Sequence, residues 1–141
     1  MFGLVIACSG ESTPPPPIYD ACNPLAVTGD DAATIASAAA LWNDVGVAEM
    51  GVPGGVSIPL VFESGVSPED FGLYAGSAIF MNDDLAAAQR SIVLAHELGH
   101  AIGLLHVTDR PSVMNPGNLR IAPNADDYAA VVALWGACPV P

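Results

Sequence analysis

The chain contains no lysine and only three arginines, set against 15 acidic residues, so its net charge is −12 over 141 residues. That balance disfavours nucleic-acid binding, because phosphate contacts need cations. Charged residues of both signs make up only 13 % of the chain, and 52 % is hydrophobic, much of it alanine. Even so, no apolar run reaches the roughly 18 residues of a membrane-spanning helix, which argues against an integral membrane protein. The length suits one domain with its own core, and neither an internal repeat nor a second domain is visible. Cysteine is scarce and odd in number, at three. Histidine is equally scarce, also at three, but its distribution is far from even.

All three histidines fall inside one run, His96-Glu97-Leu98-Gly99-His100-Ala101-Ile102-Gly103-Leu104-Leu105-His106. His96 and His100 are one helical turn apart on one face, where both rings reach a single ion. Three neutral imidazoles that leave a fourth position open make a catalytic zinc site. Glu97 lies about 100° round the helix from His96. That offset keeps it from ligating and lets its carboxylate act as a general base toward a water at the site. On a straight helix His106 would stand about 15 Å along the axis from His96, out of reach of the same ion. The chain must therefore turn between the second and third histidines. Gly103 sits there, and glycine enters positive φ at a helix C-terminus without Cβ strain. The spacing predicts a helix, a break and a return.

The run resembles the H-E-x-x-H-x-x-G-x-x-H zinc motif of the metzincin metallopeptidases. Ser112-Val113-Met114-Asn115-Pro116, a short loop beyond His106, resembles that family's methionine turn, most closely the matrixin version. In the family the methionine is an apolar floor beneath the imidazoles, a role the resemblance assigns to Met114; thioethers suit irregular apolar gaps. Weaker likenesses extend over residues 25–136. Ala38 to Val45 resembles the first long helix, Gly76 to Asp83 the strand before the zinc helix, and Asp126 to Gly136 the C-terminal helix. Val107 stands where matrixins usually have Ser, and Asn115 where they usually have Tyr. No histidine is left over for the structural zinc site of animal matrixins.

Other elements follow from periodicity. Ile35, Ala38, Ala39, Trp42 and Val45 form a helical stripe within residues 30–46 that ends at Gly46. Val56, Ile58, Leu60 and Phe62 alternate as in a strand, with Pro59 preventing full pairing. Residues 77–82 read as a second short strand and residues 85–102 as the zinc helix. Pro123 and Asn124 open a last helix that runs to Trp135. Val27 or the 65–75 segment is the candidate for a further strand. The expected fold class is α/β (α+β). It is a minimal metzincin catalytic domain with a small mixed twisted sheet, a central zinc helix, a methionine turn and a C-terminal helix. The family pairs an extended peptide with the strand just upstream of the zinc helix, which implies that Gly76–Met81 is the edge that takes substrate. Asn115 to Ala122 would then wall the pocket for the side chain after the scissile bond. The pairs Asp30-Asp31, Asp83-Asp84 and Asp126-Asp127 fall just before or inside these helices, where carboxylates cap N–H groups. Calcium binding is the lesser reading, since a hard cation needs more converging oxygens than one pair supplies.

Val5-Ile6-Ala7-Cys8 resembles a bacterial lipobox, whose cysteine becomes a lipidated N-terminus. The polar stretch after it and the prolines Pro14 to Pro17 read as an extended tether. Residues 1–8 are thus a partial lipoprotein-type signal, 9–19 a Pro-rich tether and 20–141 the metallopeptidase domain. Only seven residues precede Cys8, none of them Lys or Arg. A full signal has a basic start and a longer apolar stretch, so an ordinary frayed N-terminus is the alternative. With Cys8 lipidated, Cys22 and Cys138 remain to close the domain as a disulfide, in an oxidising compartment. The alternative for Cys22 is a zinc-blocking thiolate like the matrixin cysteine switch, a motif that Ala21-Cys22-Asn23-Pro24 resembles poorly.

These readings lead to an extracytoplasmic, monomeric zinc endopeptidase acting on protein or peptide substrates, secreted or lipid-anchored at a bacterial cell envelope. One Zn2+ would be held by His96, His100 and His106, with Glu97 as the base. The competing expectation is a surface-tethered binding module that keeps zinc for stability. Glu97 weighs against it, since structural zinc has no use for a base and usually closes its fourth position with protein.

Overall fold

A computed structural model describes residues 16–65 and 71–139. The elements among them are β1 (Leu25–Thr28), α1 (Ala32–Val45), β2 (Val56–Glu63), β3 (Gly72–Tyr74), β4 (Ile79–Asn82), α2 (Ala87–Ala101) and α3 (Ala125–Trp135). The strands form a mixed sheet in the order β1-β2-β4-β3. β1, β2 and β4 run parallel, and β3 is antiparallel to β4. Both candidate extra strands are therefore present, Val27 within β1 and Gly72–Tyr74 within the 65–75 segment.

Pro59 does not interrupt β2. The first half of β2 pairs with β1 and the second half with β4, and Pro59 falls at the changeover, opposite Thr28 where β1 ends. A missing N–H does least harm at such a junction. The expectation for the substrate edge needs correction. Gly76–Met81 lies in and before β4, which has β2 on one side and β3 on the other. Its hydrogen-bonding edges are taken. The edge beside the zinc helix is β3, which has no second neighbour among the described residues.

α1 begins where Asp31 caps it. Asp31 Oδ1 accepts the Thr34 N–H at 3.1 Å, and Oδ2 accepts from Thr34 Oγ1 at 2.7 Å and Arg90 Nη1 at 3.1 Å. The Thr34 hydroxyl and N–H, then the Arg90 guanidinium, hold this carboxyl below the ordinary carboxylate range. Asp83-Asp84 behaves otherwise, and its capping expectation fails. Leu85 and Ala86 intervene, so the pair stops short of the helix. Ala86 is the N-cap of α2, and its N–H donates to Gln89 Oε1 at 3.1 Å. Asp83 offers its backbone carbonyl to Arg90 Nη2 at 3.0 Å. α3 opens with a reciprocal capping box between Asn124 and Asp127.

α2 is the element around which the rest is built. Residues Val93 to Gly99 are all buried, between α1 on one side and the sheet on the other. The two tryptophans of the chain bracket its histidines. Trp42, fully buried on α1, donates its indole N–H to Ala95 O at 2.9 Å, and Trp135 at the end of α3 donates to Ile102 O at 2.7 Å. Each bond satisfies an indole N–H and ties a helix to α2 or its C-terminal end. Cys22 and Cys138 are joined as a disulfide across 116 residues, tying the start of the domain to the segment after α3. No helix among the described residues is long and apolar enough to cross a membrane.

Candidate metal centre

His96 and His100 project from α2, and the chain then breaks as the spacing requires. Gly103 has φ +98°, its N–H donates to His100 O at 2.9 Å, and Leu104 N–H donates to Gly99 O at 2.9 Å. A Cβ there would be strained by that φ and would crowd the Leu134 and Ile18 side chains at 3.2 and 3.3 Å. The reversal brings His106 back to its partners. The three ring centroids lie 4.9, 5.3 and 5.0 Å apart, and the nitrogen donors all lie within 4.8 Å of one another. This is the group of metal-ligating side chains that the fold assembles among the described residues; the aspartate pairs form no such group there.

Ring orientation is set by backbone carbonyls. His96 Nδ1 lies 2.7 Å from Val113 O, and His100 Nδ1 lies 2.8 Å from Leu104 O. A carbonyl only accepts, so in the neutral ring Nδ1 carries the hydrogen and Nε2 carries the lone pair that a metal takes. Three imidazoles without thiolate or carboxylate among them form a donor set that suits zinc and leaves a coordination position open. His96 is buried, His100 half-buried and His106 exposed, so the centre opens to solvent on the side of the third histidine.

Glu97 is buried beside this centre. Its Oε1 accepts the Tyr74 N–H of β3 at 2.9 Å, while Oε2 lies 3.9 Å from His96 Nε2, beyond hydrogen-bonding distance. The edge strand thus holds one carboxylate oxygen, and the other lies beside the metal site. The Tyr74 phenol donates to Pro17 O. Burial, and then the Tyr19 phenol nearby, pushes its pKa up.

The methionine turn closes from below. Met114 is buried, and its sulfur sits where a Cβ on Gly99 would collide with it. Only glycine at 99 lets the thioether lie this close under α2. The two departures from the matrixin pattern bond to each other: Asn115 Nδ2 donates to Val107 O at 2.7 Å, and Val107 N–H donates to Met114 O at 3.0 Å. Asn115 also donates to Arg110 O at 2.9 Å and accepts the Ser112 N–H at 3.1 Å, so its carboxamide knits the loop between the third histidine and the methionine.

In the sequence Asp127 reads as a helix cap, with calcium binding as the lesser reading. It is fully buried and accepts from Ser112 Oγ at 2.5 Å, Arg110 Nη1 at 2.9 Å and Val113 N–H at 3.0 Å. Val113 in turn offers its carbonyl to His96 and to Asn118 Nδ2. A path of three residues therefore runs from α3 to the first histidine. An aspartate in the first turn of an apolar helix is the signal that was present, but nothing in a separation of 14 residues marks Val113 as its partner.

Two hollows flank the centre. One, of about 320 Å³, is lined by Glu97, His100 and His106 together with Leu73, Tyr74 and the incoming residues Pro16 and Ile18. The other, of only about 20 Å³, lies on the far side against His96, Glu97, Phe71 and Gly72, with Gly117 and Asn118 of the 115–122 segment. Cys8 and the rest of residues 1–15 lie outside the described residues.

No curated protein matches the chain. The matrixin profile matches residues 56–136, from the start of β2 through α3 and including every side chain of the centre described above. With more than half its length under that match and the three-histidine cluster in place, the chain belongs to the matrixin family of metallopeptidases.

Proposed function

We propose that the protein is a zinc endopeptidase that hydrolyses peptide bonds in extended protein or peptide substrates. The observation that carries this reading is the convergence of three imidazole donors within 4.8 Å beside a buried carboxylate whose second oxygen stands 3.9 Å from His96 Nε2. His96, His100 and His106 would hold the ion. Zinc, when bound, polarises the scissile carbonyl and makes water a competent nucleophile near neutral pH. Glu97 Oε2 takes the proton from the attacking water and returns it to the leaving amine. Glu97 Oε1, held by the Tyr74 N–H, fixes the carboxylate in the orientation this transfer needs. β3 supplies the strand edge along which a peptide lies extended, with its main chain hydrogen-bonded. Met114 and Gly103 keep the three rings in place.

The reading extends to the chain outside the described residues. Residues 1–8 act as a lipoprotein-type signal lipidated at Cys8, the Pro-rich stretch from residue 9 serves as a tether whose last residues, 16–19, are held against the domain, and residues 20–141 form a monomeric extracytoplasmic peptidase. The Cys22–Cys138 disulfide fits an oxidising compartment. An intact mass from the native host that shows an unmodified Cys8 contradicts the anchor.

The rival is a binding module with structural zinc. The solvent-open hollow beside His100 and His106 weighs against it, because a structural site closes its fourth position with protein. Casein digestion with and without chelator separates the two. Cleavage that stops with chelator and returns with zinc supports the peptidase. Zinc-dependent stability with no cleavage of any protein substrate contradicts it.

A further inference from the structure

Residues 16–18 precede the domain and lie against its metal centre. Tyr19 holds them from one end: its N–H donates to Ala101 O at 2.8 Å, at the end of α2, and its hydroxyl donates to Gly76 O at 3.3 Å. The Tyr74 phenol donates to Pro17 O from the other side. Gly76 has φ +88°, and a Cβ there would lie only 2.6 Å from the Pro17 ring, so the loop before β4 is shaped to receive the proline. Three hydrogen bonds and a fitted glycine make this a built wall. The hollow behind it is lined by Pro16, Ile18, Leu73 and Leu105, and it opens onto His100 and His106. Ile18, Leu73 and Leu105 are 53 %, 49 % and 79 % exposed, an apolar rim that water covers unless a ligand does.

The direction in which a peptide crosses this centre follows from Glu97. Glu97 borders both hollows, but Oε2, the oxygen that delivers the proton to the leaving amine, lies 3.9 Å from Nε2 of His96, which lines the small hollow alone, so the C-terminal half of the substrate leaves on the side of His96. That is the side of the small hollow, which has room for little more than a water molecule. The acyl half then lies on the side of His100 and His106, over the larger hollow. Its volume of about 320 Å³ is at the low end for ligand pockets and suits one large side chain.

We propose that Pro16 and Ile18 are specificity-determining residues, walling a subsite for a bulky apolar side chain N-terminal to the scissile bond, with a small residue following that bond. This rests on the peptidase reading. The segment that leads into the domain is then part of the substrate site, and its apolar surface selects the substrate.

The test uses the full chain loaded with zinc and a positional-scanning peptide library. Parent enzyme is expected to select Leu, Ile or Phe at one position before the cleaved bond and Gly, Ala or Ser directly after it. Ile18→Asp is expected to reduce that apolar selection by about tenfold, read as the ratio of cleavage of the Leu peptide to that of the Ala peptide. Leu134→Ala, an exposed leucine near Gly103 but outside the hollow, is expected to behave as parent. Binding is read separately in the Glu97→Ala background by fluorescence titration of uncleaved peptides. There Ile18→Asp should weaken the Leu peptide by more than it weakens the Ala peptide. An unchanged melting temperature for Ile18→Asp shows that the fold is intact. If Ile18→Asp selects and binds as parent does while both cleave casein, the subsite is wrong and the peptidase reading stands. A bulky apolar preference on the C-terminal side of the cut overturns the proposal in the same way. If parent with zinc cleaves neither casein nor any library member, the peptidase reading itself has failed.

Discussion

The carbonyl of Val113 lies 2.7 Å from His96 Nδ1 and fixes the ring from behind. The same residue donates its N–H to the buried Asp127 at 3.0 Å, so the orientation of the first histidine depends on a carboxylate in another helix. The metal centre is therefore braced by α3, although α3 contributes nothing to the donor set.

Asp127→Ala should show this dependence. It leaves Arg110, Ser112 Oγ and the Val113 N–H without their acceptor. Arg110 is partly exposed, but each buried donor left without its acceptor costs about 1–3 kcal/mol. Loss of a group that orients a metal ligand typically weakens metal binding by about 10–100-fold. Urea unfolding with zinc and with chelator measures the first effect, and competition against a chromophoric chelator measures the second. Unchanged zinc affinity in a folded Asp127→Ala protein contradicts the brace.

Gly99 and Met114 form the second coupling. Gly99→Ala places a methyl group on the Met114 sulfur, and overpacking of this kind costs about 1–3 kcal/mol. Met114→Ala alone opens a cavity and costs about 2–5 kcal/mol. The double variant should be less destabilised than the sum, because shortening residue 114 removes the clash. Additive free energies in the double-mutant cycle would mean that the two residues do not press on each other.

How much of this was legible in the sequence follows from distance along the chain. The three histidines and the turn at Gly103 lie within one short run, where helical spacing alone dictates which rings can meet. The mixed α/β class was legible for a similar reason, since periodicity is local. The order of the strands was not. β4 is an interior strand because β3 folds back onto it, and nothing in Gly76–Met81 announces that pairing. Asp127, Gly99 and the packing of Pro16 and Ile18 were missed for the same cause. Each acts on a partner far away in sequence, and each looks ordinary in its own segment. Asp83-Asp84 shows the reverse error, a local capping pattern displaced from its helix by Leu85 and Ala86.

The disulfide predicts a stability difference. Closing 116 residues with one cross-link restrains the unfolded chain by about 4–5 kcal/mol in the loop-entropy model. Paired Cys22→Ser and Cys138→Ser substitutions should lower the urea midpoint accordingly while leaving zinc binding intact. A midpoint equal to parent, or two free thiols on the folded unreduced domain, contradicts the pairing.

Asp31 predicts a pH effect of defined sign. Its folded pKa is lowered below the ordinary 3.8, so its contribution is fully present above that value and is lost as pH falls through the lowered one. Asp31→Ala should melt below parent at pH 7, and the two curves should converge as the buffer is taken below about pH 4. Asp31→Asn keeps a capping oxygen and loses the charge opposite Arg90, so it should fall between them. A gap between parent and Asp31→Ala that widens in acid contradicts this assignment.

The most direct measurement compares Glu97→Ala with parent, each purified, assayed for zinc by elemental analysis and for cleavage of casein at neutral pH. The three histidines are untouched in the variant, so both proteins should carry one zinc per chain. Only parent should cleave, with the variant down by at least about 100-fold, the usual minimum for losing a general base. A variant that holds zinc and cleaves like parent would remove Glu97 from the chemistry, and a parent that holds no zinc would remove the metal centre with it.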